Sequence, residues 1–252
     1  MSFAVPPESY DRFMGVYSVQ LAPQLADLAG VEPGRRVLDV GCGPGALSTE
    51  LVARLGPAAV SAVDPSETFV AAARERLPGV AVERASAEQL PFPDDSFDAA
   101  IAQLVVHFMS DPVAGLAEMG RVTRTGGVVA ACVWDHAGGQ GPLSEFWDAA
   151  RVLEPEADDE SGLPGARDGH LRELFEAARL DEVEDATLTA TVQYQAFEDW
   201  WEPYTFGIGP AGVFVAALSP DRRNELRELC RERLPSAPFT ITARAWAARG
   251  LA

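Results

Sequence analysis

The stretch RVLDVGCGPGALSTELVARL, residues 36–55, constrains the fold more than any other part of the chain. Val37-Leu38-Asp39-Val40 is a short apolar run, as a buried strand needs. It meets three glycines in five residues, Gly41, Gly43 and Gly45. A helical pattern, Ala46–Leu55, follows at once and is closed by Gly56-Pro57. Glycine lets the backbone turn left-handed and leaves room for a ligand to approach. Strand, glycine turn and helix in that order put a ligand at the carboxyl end of a sheet, beside a helix N-terminus.

The same alternation continues to residue 134. Strands are expected at Val60–Val63, Val80–Glu83, Phe97–Leu104 and Gly127–Trp134, and helices at Ser66–Leu77 and Pro112–Val122. Ser66 is a candidate N-cap and Asp111 another. Alternation of this kind predicts an α/β fold, a parallel sheet with helices on both faces. Before it, Tyr10, Phe13, Met14 and Tyr17 share one helical face, and Leu21, Leu25 and Leu28 extend the helix toward Gly30. After Trp134, DHAGGQGP reads as a loop and EPEADDESGLPG as an exposed, loosely ordered acidic segment. A helix is expected at His170–Ala178. VEDATLTATVQY and PFTITARAWAARG alternate as an antiparallel strand pair at the sheet edge, with two helices between them at residues 196–234. The organisation expected is one domain over 1–252. It has a helical cap at 1–30, a core at 35–135, and a C-terminal part at 136–252 with its helical insertion at 196–234.

Composition narrows the partners. Of the 252 residues 47% are hydrophobic, enough for a sizeable core, and the net charge of −18 repels phosphate backbones and anionic lipid, so no nucleic acid and no membrane partner is expected. No apolar run approaches the roughly 18 residues that a spanning helix needs. The start, MSFAVPPESYDRFMG, lacks the basic-then-apolar pattern of a secretory signal. Cys42, Cys132 and Cys230 are odd in number and far apart, which gives neither a disulfide framework nor metal-ligand spacing and suits reduced thiols in a cytoplasm. No metal is expected.

Gly41, Gly43 and Ala46 fit the pattern G-x-G-x-x-G/A, and Asp64 ends the second strand, where a carboxylate accepts from both hydroxyls of a ribose. Together they favour a nucleoside-containing cofactor. NAD carries a pyrophosphate; S-adenosylmethionine has none, and its sulfonium is cationic. Asp39 beside the turn disfavours a pyrophosphate, unless its side chain instead holds the loop by hydrogen bonds. An NAD-dependent oxidoreductase is the alternative, though no Tyr-x-x-x-Lys pair appears; a catalytically inactive, regulatory cofactor-binding module is another.

VLDVGCGPGALS resembles the first motif of the class I S-adenosylmethionine-dependent methyltransferases, and AVDPSETFVAAARER resembles their second-strand acid and following helix. RASAEQLPFPDDSFDAAIAQLVVHFM is similar to their adenine loop and fourth strand, and EMGRVTRTGGVVAACVWD to the helix, turn and fifth strand. The likeness covers about residues 35–135 and is nearest the small-molecule group (type 11) that includes ubiquinone and menaquinone biosynthesis enzymes. It implies a Rossmann-like seven-stranded sheet, the last strand antiparallel, and S-adenosylmethionine as cofactor with S-adenosylhomocysteine as product. By the same likeness Gly41, Cys42 and Gly43 line the methionine part, Asp64 binds the ribose, Pro65 lies against adenine, Ala87 offers its N–H to adenine, and Gln103 sits beside the methionine moiety. The family often has Asp where this chain has Ser86, which implies a weaker adenine contact.

Methyl transfer from a sulfonium is an in-line displacement that needs alignment and exclusion of water. A base helps when the acceptor is a neutral hydroxyl. His107, after the fourth strand, is the candidate catalytic base; its competing role is a buried ring held by the backbone. Tyr10, Phe13, Met14 and Tyr17 form one aromatic stripe, and Phe197, Trp200, Trp201 and Tyr204 another, with Trp134 nearby. They are expected to line a pocket for an apolar or aromatic small molecule. Tyr10, Phe13, Met14 and Trp134 should converge over the cofactor sulfur, with residues 196–234 as the opposite wall. The chain is expected to act as a monomer or homodimer.

Overall fold

The computed structural model describes residues 6–252. The first five residues of the expected N-terminal cap, and of the stretch read for a signal, lie outside the described residues. Seven strands form one sheet: β1 (Val37–Val40), β2 (Val60–Asp64), β3 (Ala81–Arg84), β4 (Phe97–Gln103), β5 (Thr123–Trp134), β6 (Asp181–Tyr194) and β7 (Phe239–Leu251). Their order is β3-β2-β1-β4-β5-β7-β6. β1 lies at the centre, Val37 facing Val60 on one side and Ala99 on the other, both in parallel register. β7 runs antiparallel to β5 and to β6.

The period of two in the strands sorts side chains between the faces. Ala99 and Ile101 of β4, with Val128, Ala130 and Cys132 of β5, pack on one face against α2 (Val16–Leu28) and α3 (Ala46–Leu55). Ala100 and Ala102, with Val129 and Ala131, pack on the other against α5 (Pro112–Val122) and α7 (His170–Ala177). These strands are alanine-rich, which lets the helices lie close. α1 (Pro7–Tyr10) leads through a π-helical turn, Asp11–Gly15, into α2. α4 (Glu67–Arg76) follows β2, and Ser66 caps it by accepting from the Phe69 N–H. Asp111 caps α5 in the same way through the Ala114 N–H.

The C-terminal half departs from its expected reading in three places. α6 (Ser144–Leu153) is a helix that composition did not suggest, burying Phe146, Trp147, Ala149, Ala150 and Leu153. The acidic segment 154–165 is anchored, with Glu160 buried. Arg151 of α6 pairs with Asp159, and Trp147 Nε1 donates to Glu160 Oε2 at 2.9 Å. Residues 196–234 hold three helices rather than two: α8 (Phe197–Trp201), α9 (Gly209–Ala217) and α10 (Pro220–Arg233). With α6 they enclose an aromatic core in which the Phe146 and Tyr204 rings stack at 4.5 Å and Trp200 meets Tyr204 at 4.8 Å. Each such ring pair is worth about 0.5–1.5 kcal/mol beyond its burial.

Candidate functional site

The carboxyl ends of β1 and β2 meet at the glycine turn. Gly41 (φ +74°) and Gly43 (φ +53°) take left-handed backbone conformations that side chains resist. The Gly41 and Cys42 N–H groups both donate to the Val63 carbonyl, at 2.8 and 2.9 Å, which ties the turn to β2. Asp64 closes β2 and is only 6% exposed. Its Oδ2 accepts from the Gly43 N–H at 2.9 Å and its Oδ1 from the Ser66 N–H at 2.8 Å. A carboxylate has about four acceptor positions, so two remain for neighbouring hydroxyls. Burial raises the Asp64 pKa, against the pull of those two N–H groups. The Ala85 N–H donates to the Asp64 carbonyl, which lays exposed Ser86 and buried Ala87 beside exposed Pro65.

Asp39 is buried under the turn. Its Oδ2 accepts from the Ser48 hydroxyl at 2.5 Å, so it pins the first turn of α3. Its Oδ1 has no partner, and burial, with the Asp64 charge adding, pushes its pKa up to about 7. Gln103, at the end of β4, donates from Nε2 to the Ser18 carbonyl at 3.1 Å, while its Oε1 is buried and unpartnered. A methyl built on Gly43 would meet nothing within 4 Å. Orphan oxygens and open space around an acid-lined turn fit a cationic nucleoside such as S-adenosylmethionine and disfavour a pyrophosphate. Cys42 is buried, which pushes its thiol well above the ordinary range and leaves it a packing group.

A second cleft opens at the ends of β4 and β5. Tyr10, Phe13, Met14, His107 and Trp134 line it together, with residues 208–211 before and in α9 as a further wall. It encloses about 440 Å³ of space, part of it open to solvent. Tyr17, Trp200 and Tyr204 line an adjoining, narrower cleft with Phe13 and Met14. There the Tyr17 and Tyr194 hydroxyls lie 2.9 Å apart. The N-terminal segment is strapped over both halves. Asp11 pairs with Arg76 of α4 at 2.7 Å, Arg12 pairs with Glu202, and the Tyr10 ring meets Phe69 at 5.2 Å. Burial, together with the nearby Asp64 charge, pushes the Tyr10 hydroxyl up to about 12. Leu104 follows Gln103 with φ +61°, an uncommon conformation for a non-glycine residue, kept at the mouth of the cleft.

His107 is 5% exposed, and burial, then the neighbouring His136 ring, lowers its pKa well below the ordinary value. It is therefore a neutral ring at pH 7. Glu160 of the cleft escaped the sequence reading, and His136 stands in the stretch read there only as a loop. His136 follows Trp134 at the end of β5, a position that itself marks a site. Glu160 sits in a segment whose composition gives no such signal.

Residues 38–131 match a family model described as a methyltransferase domain. The demethylmenaquinone methyltransferase of Beutenbergia cavernae is 45% identical over 101 residues, 40% of this chain and 41% of that protein. The malonyl-(acyl-carrier protein) O-methyltransferase of Serratia marcescens is 32% identical over 162 residues, 62% of this chain and 61% of that protein. The chain thus spans less than two thirds of either relative. A crystallised Bacillus halodurans protein described as a methyltransferase superposes with a TM-score of 0.62 at 18% identity, covering 91% of this chain and 97% of the other. The cyclase SpnF shares the fold at a TM-score of 0.57 and 22% identity, covering 92% of this chain and 80% of the other, so fold alone does not fix the reaction. Residues 38–131 are thus similar to methyltransferase domains, and the chain as a whole shares the fold of the crystallised Bacillus halodurans protein.

Proposed function

We propose that the chain binds S-adenosylmethionine at the β1–β2 turn and transfers its methyl group to a small, apolar or aromatic molecule held in the β4–β5 cleft. One observation carries this reading: Gly43, Asp64 and Gln103 stand along the same sheet edge as the cleft lined by His107 and Trp134, with Tyr10 adjoining both. When bound, the cofactor supplies an electrophilic methyl carbon activated by its sulfonium. Asp64 holds the ribose hydroxyls, with Pro65, Ser86 and Ala87 beside the adenine. Asp39, through Ser48, stiffens the turn. The backbone of Gly41, Cys42 and Gly43, with Gln103, faces the methionine end. The strap at Tyr10 to Met14 keeps water from the reacting atoms, where alignment supplies much of the acceleration. His107 is neutral and stands on the acceptor side. The whole chain acts as one catalytic unit, in the cytoplasm, where its three free cysteines stay reduced. No helix among the described residues is long and apolar enough to cross a membrane.

The test is group transfer. Protein is incubated with methyl-labelled cofactor and a metabolite extract, and fractions are separated by size. Label should pass to small molecules as S-adenosylhomocysteine accumulates. Label confined to protein or nucleic acid refutes the reading.

A further inference from the structure

The β4–β5 cleft holds three polar groups that cofactor binding leaves unassigned. His107 Nδ1 and His136 Nε2 are both buried without a hydrogen-bond partner, on rings 6.1 Å apart. Two unsatisfied nitrogens cost about 1–3 kcal/mol each unless a bound group meets them. Glu160 is the third. It is 4% exposed and, among the described residues, takes part in no ion pair. Its Oε2 accepts from Trp147, and Asp159, clamped by Arg151, caps the turn that carries it. The remainder of the wall is largely apolar, with Phe13 and Trp134 as its flat surfaces.

We propose that this cleft takes an acceptor with a flat apolar body and one hydroxyl, that Glu160 receives the hydroxyl proton, and that one imidazole N–H, from His107 or His136, holds the oxygen. The proposal rests on the methyl-transfer reading above. A hydroxyl oxygen donates one hydrogen to the carboxylate, accepts one from an imidazole N–H, and keeps a lone pair for the methyl carbon. An amine nitrogen has one lone pair and cannot do both. As the oxygen–carbon bond forms, the carbon–sulfur bond breaks with its electron pair returning to sulfur, and the hydroxyl proton moves to Glu160. Sulfonium and carboxylate both end neutral. Moving the proton to either histidine would instead leave a cation inside a buried cleft beside a second ring. Burial already pushes Glu160 up to about 7 and His136 down to about 4.

The test is binding of 2-naphthol against 2-methoxynaphthalene, read by tryptophan fluorescence, with and without S-adenosylhomocysteine. In the wild type the naphthol should bind about tenfold tighter, as for a hydrogen bond to a charged group. Glu160→Gln keeps an acceptor for Trp147 and should reduce that preference to about threefold or less, with melting temperature and S-adenosylhomocysteine binding unchanged. Glu160→Asp, which withdraws the carboxylate by one methylene, should show the same loss. Equal binding of the two probes by the wild type, or an undiminished preference in both variants, overturns the proposal. Failure of S-adenosylhomocysteine to bind would instead count against methyl transfer, since the naphthol preference is read without it as well.

Discussion

Gly41 and Gly43 stand two residues apart, and their surroundings divide their roles. A Cβ on Gly41 would lie 2.5 Å from Val105 Cγ2, in a left-handed backbone with φ +74°. A Cβ on Gly43 would meet open space, at φ +53°. Gly41→Ala should therefore cost about 2–4 kcal/mol of stability, from strain plus overpacking. Gly43→Ala should cost about 1–2 kcal/mol from strain alone, yet weaken S-adenosylhomocysteine tenfold or more. Melting curves beside calorimetry check the split; equal stability losses with equal binding losses would contradict it. Asp39 gives a second expectation. Its pKa stands near 7 in the fold against an ordinary 3.8, so between those values the folded chain holds the proton and the unfolded chain releases it. Stability from this group is full below about pH 4 and is lost as pH rises to about 7. Asp39→Asn keeps an acceptor for Ser48 and should flatten the fall between pH 5 and 8 by about 1–3 kcal/mol in urea titrations. Asp98 and Glu118, whose pKa values are lowered, slope the other way but alike in both proteins, and cancel. A steeper fall in the variant would contradict this. At this scale the glycines and Asp64 were legible, because turn geometry and strand ends constrain residue type locally. Glu160 was not: its place depends on Arg151 gripping Asp159, a contact that no local pattern in the acidic segment announces.

Among the elements, α2 solves a problem posed by β6. β6 is the last strand of the sheet, and its outer edge is open to pairing with another chain. Gln20 accepts from the Thr191 N–H and donates to the Thr191 carbonyl, both at 3.0 Å. Gln24 does the same with Thr189, at 3.1 and 2.8 Å. Two glutamines one turn apart on a helix thus stand in for a neighbouring strand. Replacing both by alanine should cost about 1–3 kcal/mol and expose the edge. Size-exclusion chromatography of that variant should show a concentration-dependent larger species; an unchanged profile and melting temperature would contradict this. The strand–helix alternation of residues 35–135 was legible because each element carries its own period. α6 carries a helical spacing too, Phe146, Ala150 and Leu153, but glycine, proline and acidic flanks mask it. The break of 196–234 into three helices falls at Gly207 and Gly209, both with positive φ, and again before Ser219, the α10 cap.

Across the whole molecule, charge and architecture point the same way. The net charge of −18 leaves the surface unsuited to polyanions, and the basic residues are all arginine, spent largely on ion pairs with nearby acids such as Arg244 with Asp135 and Arg233 with Asp148. The buried acids that escape such pairing, Asp39, Asp64 and Glu160, gather instead along the sheet edge that carries the site. Of these, Asp39 and Asp64 stand at the glycine turn, where an acid-lined site suits the proposed cationic cofactor better than a pyrophosphate. Calorimetry with S-adenosylhomocysteine and with NADH tests it most directly. The expected result is one S-adenosylhomocysteine per chain, no NADH, and an Asp64→Ala variant weaker by about 2 kcal/mol, the loss of charge-assisted hydrogen bonds to the ribose. NADH binding, or S-adenosylhomocysteine binding that is indifferent to Asp64, would contradict it.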